Sequence, residues 1–150
     1  MSILIYAESA EGKFKKVAFE LASYAKKVAE SLGTTVTAVT INAGNVTELS
    51  KYGVDKVLKV AHEKLAVFNA KAYADVIKQA VEKENAKLVL LSSSTDSIYM
   101  SPLVAVALDA GYASNVTQLP ISTSPFQVKR TAFSNKAFNI TEINTDIKVV

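Results

Sequence analysis

The sequence predicts an α/β fold: an open, doubly wound parallel sheet followed by an antiparallel strand extension at the C-terminal end. Short apolar stretches alternate with amphipathic helical patterns, as βαβ crossovers require. Residues 88–91 are apolar without alternation, which is typical of a strand buried on both faces of a parallel sheet. The 150 residues are enough for one domain with a single core.

The first half of the chain supplies three predicted strands and three predicted helices. The strands are residues 2–7, 35–41 and 57–60. After Gly12, apolar residues recur three and four positions apart and predict a long helix, which Gly33 is placed to end in the left-handed conformation. A short helix over about residues 46–51 should stop at Gly53, and Asn69 is placed to cap the next helix.

The second half should add one strand–helix unit and then an antiparallel meander. Residues 88–91 form the strand, and Ser101 and Pro102 are suited to the cap and first position of a helix over residues 101–110. That helix is apolar all round, so one face, with Val106 as the first candidate, should point outward. Extended runs at residues 126–131, 136–142 and 146–150 predict the meander.

Charge is distributed unevenly along the chain. The 17 basic and 14 acidic residues are interspersed through the first half and form no patch for nucleic acid. Residues 88–128 contain no Lys, Arg or Glu, and Asp96 and Asp109 are the two charged residues there. We expect this neutral segment to be buried or to contact a partner.

Composition also restricts the compartment. A chain without Cys has no disulfide, thiolate metal site or Cys nucleophile, which favours a reducing compartment. The longest apolar run, residues 103–108, is far shorter than the ~20 residues that span a bilayer, and no basic presequence precedes the first strand. We therefore expect a cytoplasmic protein without membrane insertion.

Ligands of an open parallel sheet bind beyond the carboxyl ends of its strands. The loops at that edge are residues 8–12, 42–45, 61–64 and 92–101. None carries a glycine pattern for gripping phosphate, which disfavours dinucleotide binding by this chain alone.

The hydroxyl-rich run that begins at Ser92 has two interpretations. It could cradle an anion within the stretch from Ser92 to Ser101, or it could be a loop with local side-chain caps. A serine nucleophile would need a base, and the single His, His62, lies in another loop. Glu8 and Glu11 have no His or Cys beside them, so a metal site is weakly supported. We assign no catalytic, cofactor-binding or metal-binding residue.

Several segments together resemble one family. They are the opening Ile3-Leu-Ile-Tyr-Ala-Glu8 with Gly12-Lys-Phe-Lys-Lys16, the stretch Tyr52-Gly-Val-Asp-Lys-Val57-Leu-Lys-Val60, Glu63-Lys-Leu65 with the helix through Tyr73, Pro102 with Ala105, and Val128-Lys-Arg130 through Ala137. In order and spacing they resemble the N-terminal domain of the electron transfer flavoprotein alpha subunit, across essentially all 150 residues.

The resemblance implies a Rossmann-like domain, related to adenine nucleotide alpha hydrolases, in a heterodimeric FAD-dependent electron carrier. Such a carrier takes electrons from dehydrogenases such as those of fatty acid beta-oxidation and passes them to a quinone reductase or another acceptor. FAD is held chiefly by the alpha subunit's C-terminal domain, which this chain lacks, and AMP belongs to the beta subunit. No cofactor is therefore expected in this chain alone. Ser97-Ile98 and Asn135 depart from the family pattern, and Asn135 is a mild departure because Asn tolerates positive φ.

Two other classes stay open. A stand-alone adenine-nucleotide-binding domain of the universal-stress type would need a glycine-rich loop after the fourth strand, and a small hydrolase would need a nucleophile–base pair. The leading hypothesis is a structural and heterodimerisation domain rather than an enzyme, whose isolated chain could self-associate. The apolar end at residues 147–150 is typical of a domain boundary, and whether the natural protein continues past Val150 stays open.

Overall fold

The computed structural model describes residues 2–150. The α-helices are α1 (Lys16–Leu32), α2 (Ala70–Glu84) and α3 (Thr95–Ala107), and short 3-10 helices cover Thr47–Tyr52 and Glu63–Leu65. The strands are β1 (Ser2–Tyr6), β2 (Ser9–Ala10), β3 (Lys13–Phe14), β4 (Thr35–Ile41), β5 (Lys56–Val60), β6 (Leu88–Leu90), β7 (Gly111–Tyr112), β8 (Ser122–Thr123), β9 (Phe126–Ala132), β10 (Ala137–Glu142) and β11 (Lys148–Val149).

The main sheet has six parallel strands in the order β5-β4-β1-β6-β11-β7. The chain runs outward from β1 through β4 to β5 and then returns to place β6 on the other side of β1. The strand order therefore reverses between β1 and β6, where an open α/β sheet has its crevice. The predicted doubly wound fold is confirmed.

Helices cover both faces of this sheet because successive side chains of β1 point to opposite sides. Ile3 and Ile5 join the core under α1, whereas Leu4 joins the core under α2 and α3. All three side chains are buried. The crevice between β1 and β6 thus lies between α1 on one face of the sheet and α2 and α3 on the other.

Three of the predicted helix ends are confirmed. Gly33 and Gly53 end their helices at φ values of 60° and 89°, and the Asn69 side chain accepts a hydrogen bond from the Ala72 N–H at 3.0 Å. Asn135 lies in the β9–β10 turn at a φ of 64°, as its tolerance of that region allows.

The predicted meander is correct for two of its three runs. β9 and β10 pair antiparallel, and the third strand of their sheet is β8. The run at residues 146–150 was expected beside them, and this expectation is wrong. Its strand, β11, inserts parallel between β6 and β7, because that position buries Val149 completely in the main core.

The predicted start of α3 is also wrong. The helix begins at Thr95 after the Ser94 cap, so Ser101 and Pro102 lie inside it. The Ser101 hydroxyl donates to the Ser97 carbonyl oxygen at 2.6 Å. Pro102 lacks the N–H that would bond the carbonyl oxygen of Ile98 in a regular helix.

No helix within residues 2–150 combines the length and apolar character that crossing a membrane requires.

Candidate functional site

Two buried strands deliver polar side chains to the crevice at the carboxyl edge of the sheet. Glu8 follows β1. Ser92 follows β6, which pairs with β1 on the side opposite β4. Ser94 and Ser97 belong to the cap and first turn of α3, which begins after the short loop that follows β6. Lys15 immediately precedes α1 and reaches in from the other side. We call these five residues the carboxylate crevice.

The geometry of the carboxylate crevice is a shell of donors around one carboxylate. Glu8 Oε1 accepts hydrogen bonds from the hydroxyls of Ser94 at 2.6 Å and Ser97 at 2.9 Å, and from the Ser92 hydroxyl. Glu8 Oε2 accepts from Lys15 Nζ at 3.1 Å. Only 2% of the Glu8 surface is exposed. The side chain is thus fully engaged within the protein.

The electrostatic balance keeps Glu8 ionised. Burial pushes the pKa of Glu8 upward, but the hydrogen bonds from Ser92, Ser94, Lys15 and Ser97 together outweigh it, so the pKa lies below its usual value. The partial positive charge at the start of α3 acts in the same direction, since Ser94 and Ser97 stand at that helix end. In turn, the hydrogen bond to Glu8 raises the pKa of Lys15.

A second charge and a phenol extend the network. Asp96 Oδ2 lies 3.6 Å from Lys15 Nζ, so this lysine serves two carboxylates. Tyr6, buried at the end of β1, has its pKa raised by burial and then by Tyr73, Glu8 and Asp96. Two carboxylates, those of Glu8 and Asp96, thus share the ammonium of Lys15.

This arrangement bears on both interpretations of the hydroxyl run. Ser92, Ser94 and Ser97 do surround an anion, but the anion is the protein's own Glu8. A bound phosphate group would have to approach a buried carboxylate and compete for the same donors. The crevice in which sheets of this class bind nucleotides is occupied by the Glu8 side chain.

His62 lies apart from this site. It follows β5, two strands from β1, where its Nδ1 accepts from the Lys64 N–H at 3.1 Å and its backbone is hydrogen-bonded to the Asn42 side chain. The hydroxyls of the crevice and the imidazole therefore form no nucleophile–base pair. Among residues 2–150, no three His, Cys, Asp or Glu side chains cluster in a way that could hold a metal ion.

A cavity of about 330 Å³ opens beside the crevice, between α1 and the beginning of α3. Its walls combine apolar residues such as Leu21 and Val116 with polar ones such as Ser101 and Asn115. Tyr24, also in the wall, donates from its hydroxyl to the Gln118 carbonyl oxygen at 3.0 Å, and burial raises its pKa to about 12. That phenol stays protonated near neutral pH.

The neutral segment also provides a solvent-facing apolar surface on α3. Tyr99, Leu103 and Val106 are spaced four and three residues apart, so they share one face, and Ile98 adjoins them. We call these four residues the outer face of α3. All are exposed, and Val106 is 82% exposed, as expected for the outward position.

The interaction of Glu8 with the hydroxyl run was not anticipated from the sequence, although both segments were singled out. The sequence did contain a signal that could have predicted this interaction. Glu8 and Ser92 each follow an unbroken apolar strand, and a doubly wound order places those strands side by side. The sequence contained no comparable signal for the role of Lys15. This lysine belongs to a run of basic residues that is typical of the solvent-exposed start of a helix.

Several known proteins similar to this chain share one name, electron transfer flavoprotein subunit alpha. The family described as electron transfer flavoprotein domain matches residues 3–150. The electron transfer flavoprotein subunit alpha of Clostridium acetobutylicum is 32% identical over 123 residues, covering 79% of this chain and 36% of that protein.

Two relatives carry other names. The lactate dehydrogenase (NAD(+),ferredoxin) subunit LctC of Acetobacterium woodii is 30% identical over 149 residues, or 95% of this chain and 35% of that protein. The acryloyl-CoA reductase electron transfer subunit beta of Anaerotignum propionicum is 28% identical over 128 residues, or 83% and 35%. The chain thus spans little more than a third of the length of these relatives. It belongs to the electron transfer flavoprotein family, as an alpha-subunit N-terminal domain.

Proposed function

We propose that this chain is the structural and heterodimerisation domain of an electron transfer flavoprotein alpha subunit, and that it carries electrons only as part of the complete complex. The observation that carries the proposal is the outer face of α3. Tyr99, Leu103 and Val106 form a continuous apolar stripe exposed to solvent. Contiguous exposed apolar surface of this kind marks protein interfaces.

The partner assigned to the outer face of α3 is the beta subunit. The face carries no charged side chain, so a partner can cover it without burying an unpaired charge. Its inner side is fixed, because Met100 and Val104 are buried against the core beneath α2. A rigid helix with one packed and one free apolar face can dock with little ordering cost.

The flavin, FAD in this proposal, is held chiefly by a C-terminal domain outside this chain. The carboxylate crevice supports this view, because Glu8 occupies the position where a Rossmann-like sheet would receive the phosphates of a dinucleotide. The chain alone is thus a carrier component without an active site of its own. It is proposed to act in the cytoplasm.

Electron donors and acceptors are assigned by class. The donors are dehydrogenases, of which acyl-CoA dehydrogenases of fatty acid beta-oxidation are one group, and the acceptor is a quinone reductase or another redox partner. The names of two relatives add an acryloyl-CoA reductase, which takes up electrons and is therefore an acceptor, and a lactate dehydrogenase to these classes of redox partner.

The experiment compares two matched valines. Val106 is 82% exposed on the outer face of α3, and Val67 is 79% exposed in a loop before α2. Each is changed to Glu, and each variant is co-purified with a beta subunit. Val106→Glu should weaken assembly because the interface would have to bury an unpaired charge, whereas Val67→Glu should assemble normally.

Equal assembly of Val106→Glu and the unsubstituted chain would reject the outer face of α3 as the interface. Flavin content gives a second test. The isolated chain should purify without visible flavin absorbance, and stoichiometric flavin bound to it would contradict the assignment of FAD to another domain.

A further inference from the structure

The cavity between α1 and the beginning of α3 is continuous with the outer face of α3. Ile98 belongs to that face and also forms part of the cavity wall. It is 56% exposed, and Tyr112, another residue of the wall, is exposed as well. The mouth of the cavity therefore adjoins the apolar surface that we assign to the beta subunit.

The floor of the cavity is apolar. Leu90 and Ala113 in its wall are buried, and Leu21 and Val116 pack against the same core. Its volume of about 330 Å³ lies at the lower end of the range for pockets that hold small molecules. The space thus suits one apolar group of about the size of a ring.

The wall carries little charge. Within residues 2–150, Glu20 is the one charged side chain of the wall, and this exposed carboxylate lies 3.5 Å from Lys16 Nζ. Most other wall residues belong to the neutral segment at residues 88–128. A charged group that entered the cavity would lose its water without gaining a free opposite charge, so the cavity favours an uncharged group.

Three polar side chains of the wall are without a partner in the chain. Ser93, Ser114 and Asn115 form no side-chain hydrogen bond with any residue in the range 2–150. Ser93 and Asn115 are exposed, so they lie at the rim and not on the floor. They can bond the backbone of a loop whose side chain enters the cavity.

We propose that this cavity receives one uncharged aromatic side chain from a loop of the beta subunit. This anchor rests on the proposed function, because it lies beside the outer face of α3. A ring fills the space better than a small aliphatic side chain, and the Tyr24 ring in the wall gives it an aromatic neighbour. Aromatic side chains in desolvated pockets provide much of the binding energy of protein interfaces.

The first experiment fills the cavity from within. Leu21→Trp enlarges a half-buried residue of the wall, and Lys27→Trp places the same side chain at an exposed position of α1 as the matched control. Urea denaturation establishes that each variant folds. Leu21→Trp should raise the Kd for the beta subunit on the order of tenfold or more, whereas Lys27→Trp should leave it unchanged.

The second experiment uses the unsubstituted chain and a small probe. p-Cresol, the side-chain analogue of tyrosine, is titrated while the NMR signals of the Leu21, Leu90 and Val116 methyl groups are followed. These signals should shift saturably with p-cresol and should not shift with n-butylammonium, the charged analogue of lysine. A saturating beta subunit should abolish the p-cresol shifts, because its own side chain then fills the cavity.

The outcomes separate the anchor from the interface. Normal assembly of a folded Leu21→Trp chain, together with weak assembly of Val106→Glu, would overturn the anchor and retain the outer face of α3 as the interface. Normal assembly of both variants would reject the proposed function as well.

The probe decides the question even if Leu21→Trp does not fold. No saturable shift with p-cresol would show that the cavity takes no aromatic ring, and the anchor would be rejected. Shifts that persist in the complex with the beta subunit would show that the cavity is still empty there, which would overturn the anchor equally.

Discussion

The two sides of α3 differ in almost every physical respect although their residues are adjacent in the chain. Ser97 is buried and donates to Glu8, while Ile98 and Tyr99, the next two residues, face solvent. The inner side holds an ionised carboxylate whose partners all come from this chain. The outer side holds apolar groups that no described residue covers.

The residues of the carboxylate crevice bond to one another, whereas the outer face of α3 leaves apolar side chains exposed to solvent. The crevice of a doubly wound sheet normally stays open for a ligand. Here it is closed by Glu8, so its polar groups stabilise the fold. The outer face of α3 keeps apolar area that only association can bury. Binding to other proteins, rather than to a small ligand in the crevice, is the activity that this comparison favours.

Removing the central carboxylate should have the largest effect. Glu8→Ala deletes the acceptor of three hydroxyls, including that of buried Ser97, and one of the two carboxylates beside Lys15. We expect a loss of about 3 kcal/mol in the free energy of unfolding, measured by urea denaturation.

The control is Glu30→Ala, at an exposed position of α1, which should stay within about 0.5 kcal/mol of the unsubstituted chain. Similar stability losses for both variants would mean that the carboxylate crevice has no special role in the fold.

Removing one donor should have a smaller effect. Ser97→Ala deletes a fully buried hydroxyl that bonds Glu8 at 2.9 Å, but it leaves the other donors in place. A loss of about 1–2 kcal/mol is expected from hydrogen bonds to charged groups. Ser93→Ala, in the same run but exposed, is the matched control for thermal and urea unfolding. The interpretation fails if Ser93→Ala is the more damaging of the two.

A substitution on the outer face of α3 should have the smallest effect on stability. Val106→Glu introduces a charge at a position already 82% exposed, so the isolated chain should unfold within about 0.5 kcal/mol of its usual free energy. The same substitution should nevertheless weaken assembly with a beta subunit. A loss of several kcal/mol in the isolated chain would show that Val106 is buried in solution.

Patterns within single segments predicted most of the fold. The apolar spacing in α1 and the caps at Gly33 and Asn69 act within a few residues, so the sequence displays them directly. The start of α3 did not follow from such a pattern. Ser101-Pro102 is a good local start, but Ser94 begins the helix, and its hydroxyl also binds Glu8, 86 positions away in the chain.

The misplaced last strand has a similar cause. β11 has two residues, and its own pattern fits either sheet equally well. Its position is decided by β6 and β7, which bury Val149 between them. The carboxylate crevice also depends on contacts between distant segments. Its members come from three separate segments that only the folded sheet brings together, so the sequence did not predict it.

The stability of the carboxylate crevice depends on Glu8 being an ionised carboxylate that is hydrogen-bonded within this chain. The pKa of Glu8 in the folded chain is lowered, so the native state is stabilised most when the pH is above the ordinary carboxyl pKa of about 4.3. That stabilisation is lost as the pH falls through the lowered folded value. Ser92, Ser94 and Ser97 set this dependence together with Lys15.

The most direct measurement is a titration of the Glu8 carboxyl carbon by ¹³C NMR, assigned by comparison with Glu8→Gln. A midpoint clearly below the ordinary value of about 4.3 is expected, because the hydrogen bonds of the crevice lower the pKa of Glu8. A Glu8 midpoint at or above that ordinary value would contradict it, because the carboxyl would then be protonated in the crevice as readily as in water.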